Sequence, residues 1–127
     1  MFKGTKAFGG FAVKDSDQSL TFYRDVLGVN VVQNKQMGNI LTLSFQDGGT
    51  IIAYPKPDHQ PATFTVLNFN VADVATAVQD LKTKGVKFES YDMPGFKTDD
   101  DNIFRGGGPL IAWFTDPSGN IMSVIQE

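Results

Sequence analysis

The chain has no cysteine and only one histidine and one tryptophan, and each scarcity excludes something. Without cysteine there are no disulfides, thiolate metal sites or thiol nucleophiles, a usage that suits a reducing compartment. With His59 as the sole imidazole, one subunit by itself cannot build a two-histidine metal site, including the facial triad of non-haem iron enzymes. No apolar run approaches the roughly 20 residues needed to span a bilayer. Basic charge is not in excess either: the formal charge is −3, which leaves no electrostatic footprint for nucleic acid or an acidic membrane face. Signs of disorder are also missing, since 41% of the 127 residues are hydrophobic and 12% aromatic, enough for one domain that buries roughly two thirds of its unfolded surface. Met1-Phe2-Lys3-Gly4 leads directly into a strand pattern, so the expected location is cytoplasmic.

What the chain does have is a repeat. Phe11-Ala12-Val13-Lys14-Asp15 opens one copy and Phe69-Asn70-Val71-Ala72-Asp73 the other, with the two aspartates 73 − 15 = 58 residues apart. A helical pattern closing on Leu27-Gly28-Val29 recurs as Lys84-Gly85-Val86, with the glycines 85 − 28 = 57 residues apart. In the first copy a strand over 8–13 precedes a helix capped from Asp15-Ser16-Asp17, with Leu20, Tyr23, Val26 and Leu27 as its apolar positions. Gly28 suits the left-handed stop. Strands over 29–33, 40–45 and 50–54 follow, separated by turns at Met37-Gly38-Asn39 and Asp47-Gly48-Gly49.

Pro55, Pro57 and Pro61 stiffen a connector over 55–62. The second copy then predicts a strand over 64–71 and a helix with Val74, Ala77, Val78 and Leu81 on one stripe, ended by Gly85. Further strands are predicted over 86–90, 110–114 and 120–125, with a long polar and glycine-rich passage over 91–108. The expected fold is α+β: a single domain over 1–127, built of two βαβββ modules at about 5–55 and 63–127, whose mixed sheets cover their apolar faces by curling into a cup.

Val13-Lys14-Asp15 followed by Phe22-Tyr23-Arg24-Asp25-Val26-Leu27-Gly28, together with the ending Ala112-Trp113-Phe114-Thr115-Asp116-Pro117-Ser118-Gly119-Asn120, resembles the vicinal-oxygen-chelate superfamily over essentially the whole chain. That superfamily includes glyoxalase I, extradiol dioxygenases and bleomycin- and fosfomycin-resistance proteins. The resemblance implies a cup whose metal-dependent versions place His or Glu on the first and last strand of each module. Counted from the motifs, those four positions fall on Phe8, Val66, Ser123 and, by matching Phe45 with Phe114 and Ile51 with Ile121, Ala53. None of these side chains replaces imidazole or carboxylate, and divalent zinc, nickel, iron or manganese wants about three such donors. No metal or other cofactor is expected, and glyoxalase I or ring-cleaving chemistry is disfavoured. The resemblance also implies a homodimer.

The expected role is therefore metal-free binding of a small organic ligand, for sequestration or sensing. The competing readings are an enzyme of lyase, isomerase or dioxygenase type, cofactor-free or with misplaced metal ligands, and an interaction module without a ligand. Phe8, Ala53, Val66 and Ser123 are ligand-binding candidates as the cup positions. Asn68, a neutral amide that donates and accepts, is either an orienting group or tied to backbone. Trp113 is either core or a stacking surface, and Tyr54 either packing or contact. His59 is a solvated connector residue or, if the connector folds over the cup, a base. Phe104 and Arg105 belong to the 91–108 passage, a lid or a mobile insertion, where Arg105 would meet an anionic group. Asp99-Asp100-Asp101 reads as an exposed charged loop, since it lacks the spacing of a calcium loop, and Gly106-Gly107-Gly108 as a hinge, since no helix follows it.

Overall fold

The computed structural model describes residues 1–127, which divide into two compact units, Met1–His59 and Gln60–Glu127. The fold is α+β, with one four-stranded mixed sheet in each unit.

In the first unit the order is β1 (Gly9–Val13), α1 (Ser16–Thr21), β2 (Asn30–Asn34), β3 (Ile40–Ser44) and β4 (Thr50–Pro55). Asp15 caps α1 by accepting from the Gln18 N–H at 3.0 Å, as its short carboxylate allows. The helix widens into a π-turn over Phe22–Val26, in which the Leu27 N–H reaches the Phe22 carbonyl at 3.0 Å, and Gly28 ends it at φ +73°. The sheet runs β1-β4-β3-β2, with β1 parallel to β4 and the other pairs antiparallel.

Register assigns each side chain to a face. Phe11, Ala53 and Leu41 stand in one cross-strand row, and all three are buried with Val13, Leu43, Phe22 and Tyr23. Tyr23 meets Phe11 and Phe22 edge-on, with ring centres 5.9 and 5.2 Å away. Gly10, Ile52, Thr42 and Val32 make the neighbouring row on the opposite face, where Val32 is 64% exposed. Gly10 has no room for a side chain, because an added Cβ would lie 2.9 Å from the Ile52 side chain.

The second unit repeats the plan with one interruption. Its elements are β5 (Thr65–Asn70), α2 (Val74–Thr83), a small hairpin of β6 (Asp92–Met93) and β7 (Phe96–Lys97), then β8 (Ile103–Phe104), β9 (Leu110–Thr115) and β10 (Ile121–Gln126). The sheet runs β5-β10-β9-β8, with β5 parallel to β10. Asp73 caps α2 at the Thr76 N–H, 3.3 Å away, and Gly85 takes the left-handed stop at φ +86°. Val74 and Val78 bury one helix face, and Ile103, Ala112, Phe114, Met122 and Val124 form the buried core of this unit. Phe114 packs between Phe69 and Phe88, at 6.4 and 5.6 Å.

The strand predicted over 86–90 is corrected by the structure. Only Phe88 makes a bridge, to Phe114, flanked by hydrogen bonds from the Glu89 N–H to the Trp113 carbonyl and from the Thr115 N–H to the Lys87 carbonyl. The chain then leaves the edge of β9 and rejoins it at Ile103, opposite Ala112. One strand has thus been cut in two by an excursion, and polar residues at its ends hide the continuity from any period-two pattern. The closing motif proves to be a structural turn. The Asp116 carboxylate accepts from the Ser118 and Asn120 N–H groups at 2.9 and 2.8 Å and from the Asn120 side-chain amide at 3.1 Å, so it is buried but satisfied.

These faces predict unequal costs of substitution. Leu41→Ala should lower the unfolding free energy by about 2–5 kcal/mol in urea titration, through lost burial and a cavity. Val32→Thr, on the exposed edge strand, should change it by no more than about 0.5 kcal/mol.

Candidate functional site

In the second unit the register lines up Asn68 on β5, Ser123 on β10 and Trp113 on β9, directly opposite one another. The antiparallel continuation past the Phe88 bridge sets Glu89 beside Trp113, its N–H donating to the Trp113 carbonyl at 2.8 Å. Since Phe88 packs on Phe114 in the core, alternation turns Glu89 to the other face. The row Asn68, Ser123, Trp113, Glu89 therefore crosses the whole sheet on the face away from α2. With strands about 4.8 Å apart, three steps make it about 14 Å long.

Trp113 is the centre of this face. Its indole N–H donates to the Thr65 hydroxyl at 3.1 Å, so the ring lies across β10 toward β5 and shelters Ser123, which is fully buried. Tyr91 and Phe96 meet the indole edge-on at 5.4 and 5.3 Å, and Phe104 lies at 6.4 Å. Tyr91 stacks on Phe96 at 5.1 Å, and Phe96 meets Phe104 at 5.1 Å. Four aromatic rings thus adjoin, and Trp113 itself remains partly exposed. At the far end the Ser123 hydroxyl donates to the Asn68 side-chain carbonyl, which leaves the amide N–H donors of the exposed Asn68 without a partner in the chain.

The excursion that brings Tyr91 and Phe96 to the indole is tied down by polar contacts. Asn102, at φ +66°, donates to the Glu89 carbonyl at 3.2 Å and the Ser90 hydroxyl at 2.8 Å, clasping the two ends of the interrupted strand. Asp99 accepts from the Asp101 and Ile103 N–H groups, both at 2.9 Å, and from Arg105 Nε at 2.7 Å. Partial burial opposes the Asp99 charge, but the hydrogen bonds from Arg105, Ile103 and Asp101 outweigh it and hold its pKa below the usual carboxylate range. Tyr91 shifts upward, first through burial and second through the negative charge of Glu89.

Of the residues singled out by sequence, Asn68, Ser123, Trp113 and Phe104 come together here. Val66 sits beside them at a bulge, where Ile121 pairs with Thr65 but Met122 with Leu67. Ala53 is a correction: it is fully buried between Phe11 and Leu41 on the helix-covered face, and the β4 residues sharing the face of Gly10 and Ala12 are Ile52 and Tyr54. The matching of the two modules slipped by one residue, which exchanges the faces. Phe8 precedes β1 and is 65% exposed, and Tyr54 is 37% exposed. His59 is half-buried, with its backbone N–H on the Lys56 carbonyl at 3.0 Å, while Asp58 pairs with Lys56 at 2.7 Å. Arg105 is exposed and its Nε pairs with Asp99 at 2.7 Å. Phe96 was expected, with Ile103 and Phe104, to give the 91–108 passage its apolar contact surface, whereas Glu89, Tyr91 and Thr65 belong to this face and were missed by sequence reasoning. Only the spacing of Glu89 from the Val86 strand start could have flagged them, and the long passage after it obscured that signal.

The residues do not fit a divalent metal. No group of three or more His, Cys, Asp or Glu side chains is placed so that it could hold a metal ion. The eight strands of the two four-stranded sheets contain no Asp, Glu, His, Cys, Lys or Arg at all, so the mismatch does not depend on how the four ligand positions are counted.

A two-module α+β protein with a polar and aromatic sheet face is the class these features define. The sequence profile of the Glyoxalase/Bleomycin resistance protein/Dioxygenase superfamily matches residues 8–124, and the chain belongs to that superfamily. No curated protein matches it significantly. Among solved structures it is similar to the fosfomycin resistance protein FosX from Listeria monocytogenes (TM-score 0.71, 14% identity, covering 100% of this chain and 95% of that one). It is also similar to a putative glyoxalase family protein from Bacillus anthracis (0.70, 13%, 100% and 99%) and to TnmS3, an antibiotic binding protein from Streptomyces sp. CB03234 (0.65, 18%, 97% and 97%). At these identities the likeness establishes the fold alone.

The ties of the excursion predict an acid transition. A depressed carboxylate pKa contributes stability above the unfolded value, about 3.9, that is lost as pH falls through the lower folded value. The near-UV circular dichroism of Trp113 should therefore hold steady on acidification to that point and weaken below it. Asp99→Asn should weaken the signal already at neutral pH and flatten the acid limb.

Proposed function

We propose that the protein is a metal-independent binder of a small, planar organic molecule, held on the Asn68–Ser123–Trp113 face of the second sheet and sequestered or sensed there. The observation that carries this reading is the lack of Asp, Glu, His, Cys, Lys and Arg in the strands of the two four-stranded sheets, whose one ionisable side chain is Tyr54. Such strands offer shape, aromatic contact and neutral hydrogen bonds, which are the means of binding, and little with which to move a proton. The partly exposed indole supplies a stacking surface, and the unpartnered Asn68 amide N–H groups supply donors for a carbonyl or similar acceptor. The antibiotic-binding description of TnmS3 gives precedent for sequestration on this fold. The working form is proposed to be a homodimer, which would cover Phe8 and Val32, now 65% and 64% exposed.

Trp113 is the only tryptophan, so its fluorescence reports the site directly. A screen of planar aromatic amides and ketones should find compounds that quench it saturably and raise the melting temperature, with chelator treatment leaving both effects unchanged. Asn68→Ala should weaken the best of them about fivefold, the worth of one neutral hydrogen bond of about 1 kcal/mol. Failure of every aromatic compound to quench, or turnover that appears only with added nickel, zinc, manganese or iron, would refute the proposal.

A further inference from the structure

The Glu89 end of the row differs chemically from the Asn68 end. Glu89 is half-buried, and its carboxylate has no hydrogen bond or ion pair within the chain. A carboxylate without a counter-charge in the chain is free to take a cation from a ligand, and adjoining aromatic surface strengthens that pairing. The nearest cation along the same excursion cannot supply it, because Arg105 is held by Asp99 at 2.7 Å. Lys87 and Lys97 are exposed, and neither makes an ion pair with Glu89.

Aromatic rings stand where such a cation would go. Trp113 is the cross-strand neighbour of Glu89, and Tyr91 lies two residues on, its ring 5.4 Å from the indole and perpendicular to it at 89°. Alternation from the core-facing Phe88 puts Glu89 on the same sheet face as Trp113, and the Tyr91 pKa is raised first by burial and second by the charge of Glu89. A carboxylate on the same sheet face as two adjoining electron-rich rings prefers a poorly hydrated ammonium, which gains from the ring quadrupoles and the full negative charge together. Neither neutral nor anionic ligands gain from both.

We propose that Glu89, Tyr91 and Trp113 form a subsite for an ammonium group, preferably an alkylated one, carried by the ligand. This assignment rests on the reading of the sheet face as a binding site and specifies its ligand: a planar molecule about 14 Å long, cationic at one end and bearing an acceptor at the other. The row is asymmetric, so it also sets orientation, with the positive end toward the excursion and the acceptor toward β5.

The test uses the whole protein and three probes of similar size: benzyltrimethylammonium, benzamide and benzoate, each titrated against Trp113 fluorescence. The expected result is affinity in the order cation, amide, benzoate, with the cation favoured at least tenfold over benzamide. Glu89→Gln should abolish that preference, lowering benzyltrimethylammonium affinity at least tenfold more than benzamide affinity. Glu89→Asp, which keeps the charge and guards against a folding artefact, should retain part of it. Equal affinity for benzyltrimethylammonium and benzamide, or a preference that survives in Glu89→Gln, overturns the subsite but not the binding face. Absence of saturable quenching by all three probes overturns both.

Discussion

The strict alternation of side chains across a pleated strand, combined with a helix laid on one face, is the constraint from which the rest of this molecule follows. Once Phe11, Leu41 and Ala53 are committed to the helix side of the first sheet, Gly10, Thr42 and Ile52 have no choice but the other. In the second sheet Phe114, Met122 and Val124 take the core, and the same rule presents Trp113, Ser123 and Asn68 opposite. The proposed binding face is the complement of the core, and a change to one is a change to the other.

That face is chemically quiet across the strands and active only at its edge. Uncharged strands make it a surface for contact and neutral hydrogen bonding, while the one carboxylate in the row comes from the segment where β-structure breaks off. The excursion after Glu89 does two things at once. It ends the regular pairing that would have made Glu89 one more edge residue, and it carries Tyr91 and Phe96 back onto the indole. Holding it there are Asn102 in its left-handed conformation and the Asp99–Arg105 pair, so residues that looked like a charged, mobile loop act as fastenings.

Both copies of the strand, capped helix and glycine stop could be read from the chain, because those signals are local: Asp15 and Asp73 cap through their own side chains, and Gly28 and Gly85 both adopt positive φ. The family was legible for the same reason. The site was legible only in part. Asn68 and Trp113 were notable by chemistry and Ser123 by its place in the family pattern, but their alignment depends on the β5–β10–β9 register and on a bulge at Val66, neither of which has a sequence signature. Ala53 shows the cost of a single-residue slip, and Glu89 the cost of an interrupted strand.

The order of the amino acids by itself determined the modular repeat and the helix caps and stops, since nearest-neighbour stereochemistry suffices for these. Tertiary structure alone decided which face each strand residue occupies and which distant residues stand in one row. Those outcomes depend on hydrogen-bond register between segments as far apart as Asn68 and Ser123, and register is settled by packing the whole core at once rather than by any local preference.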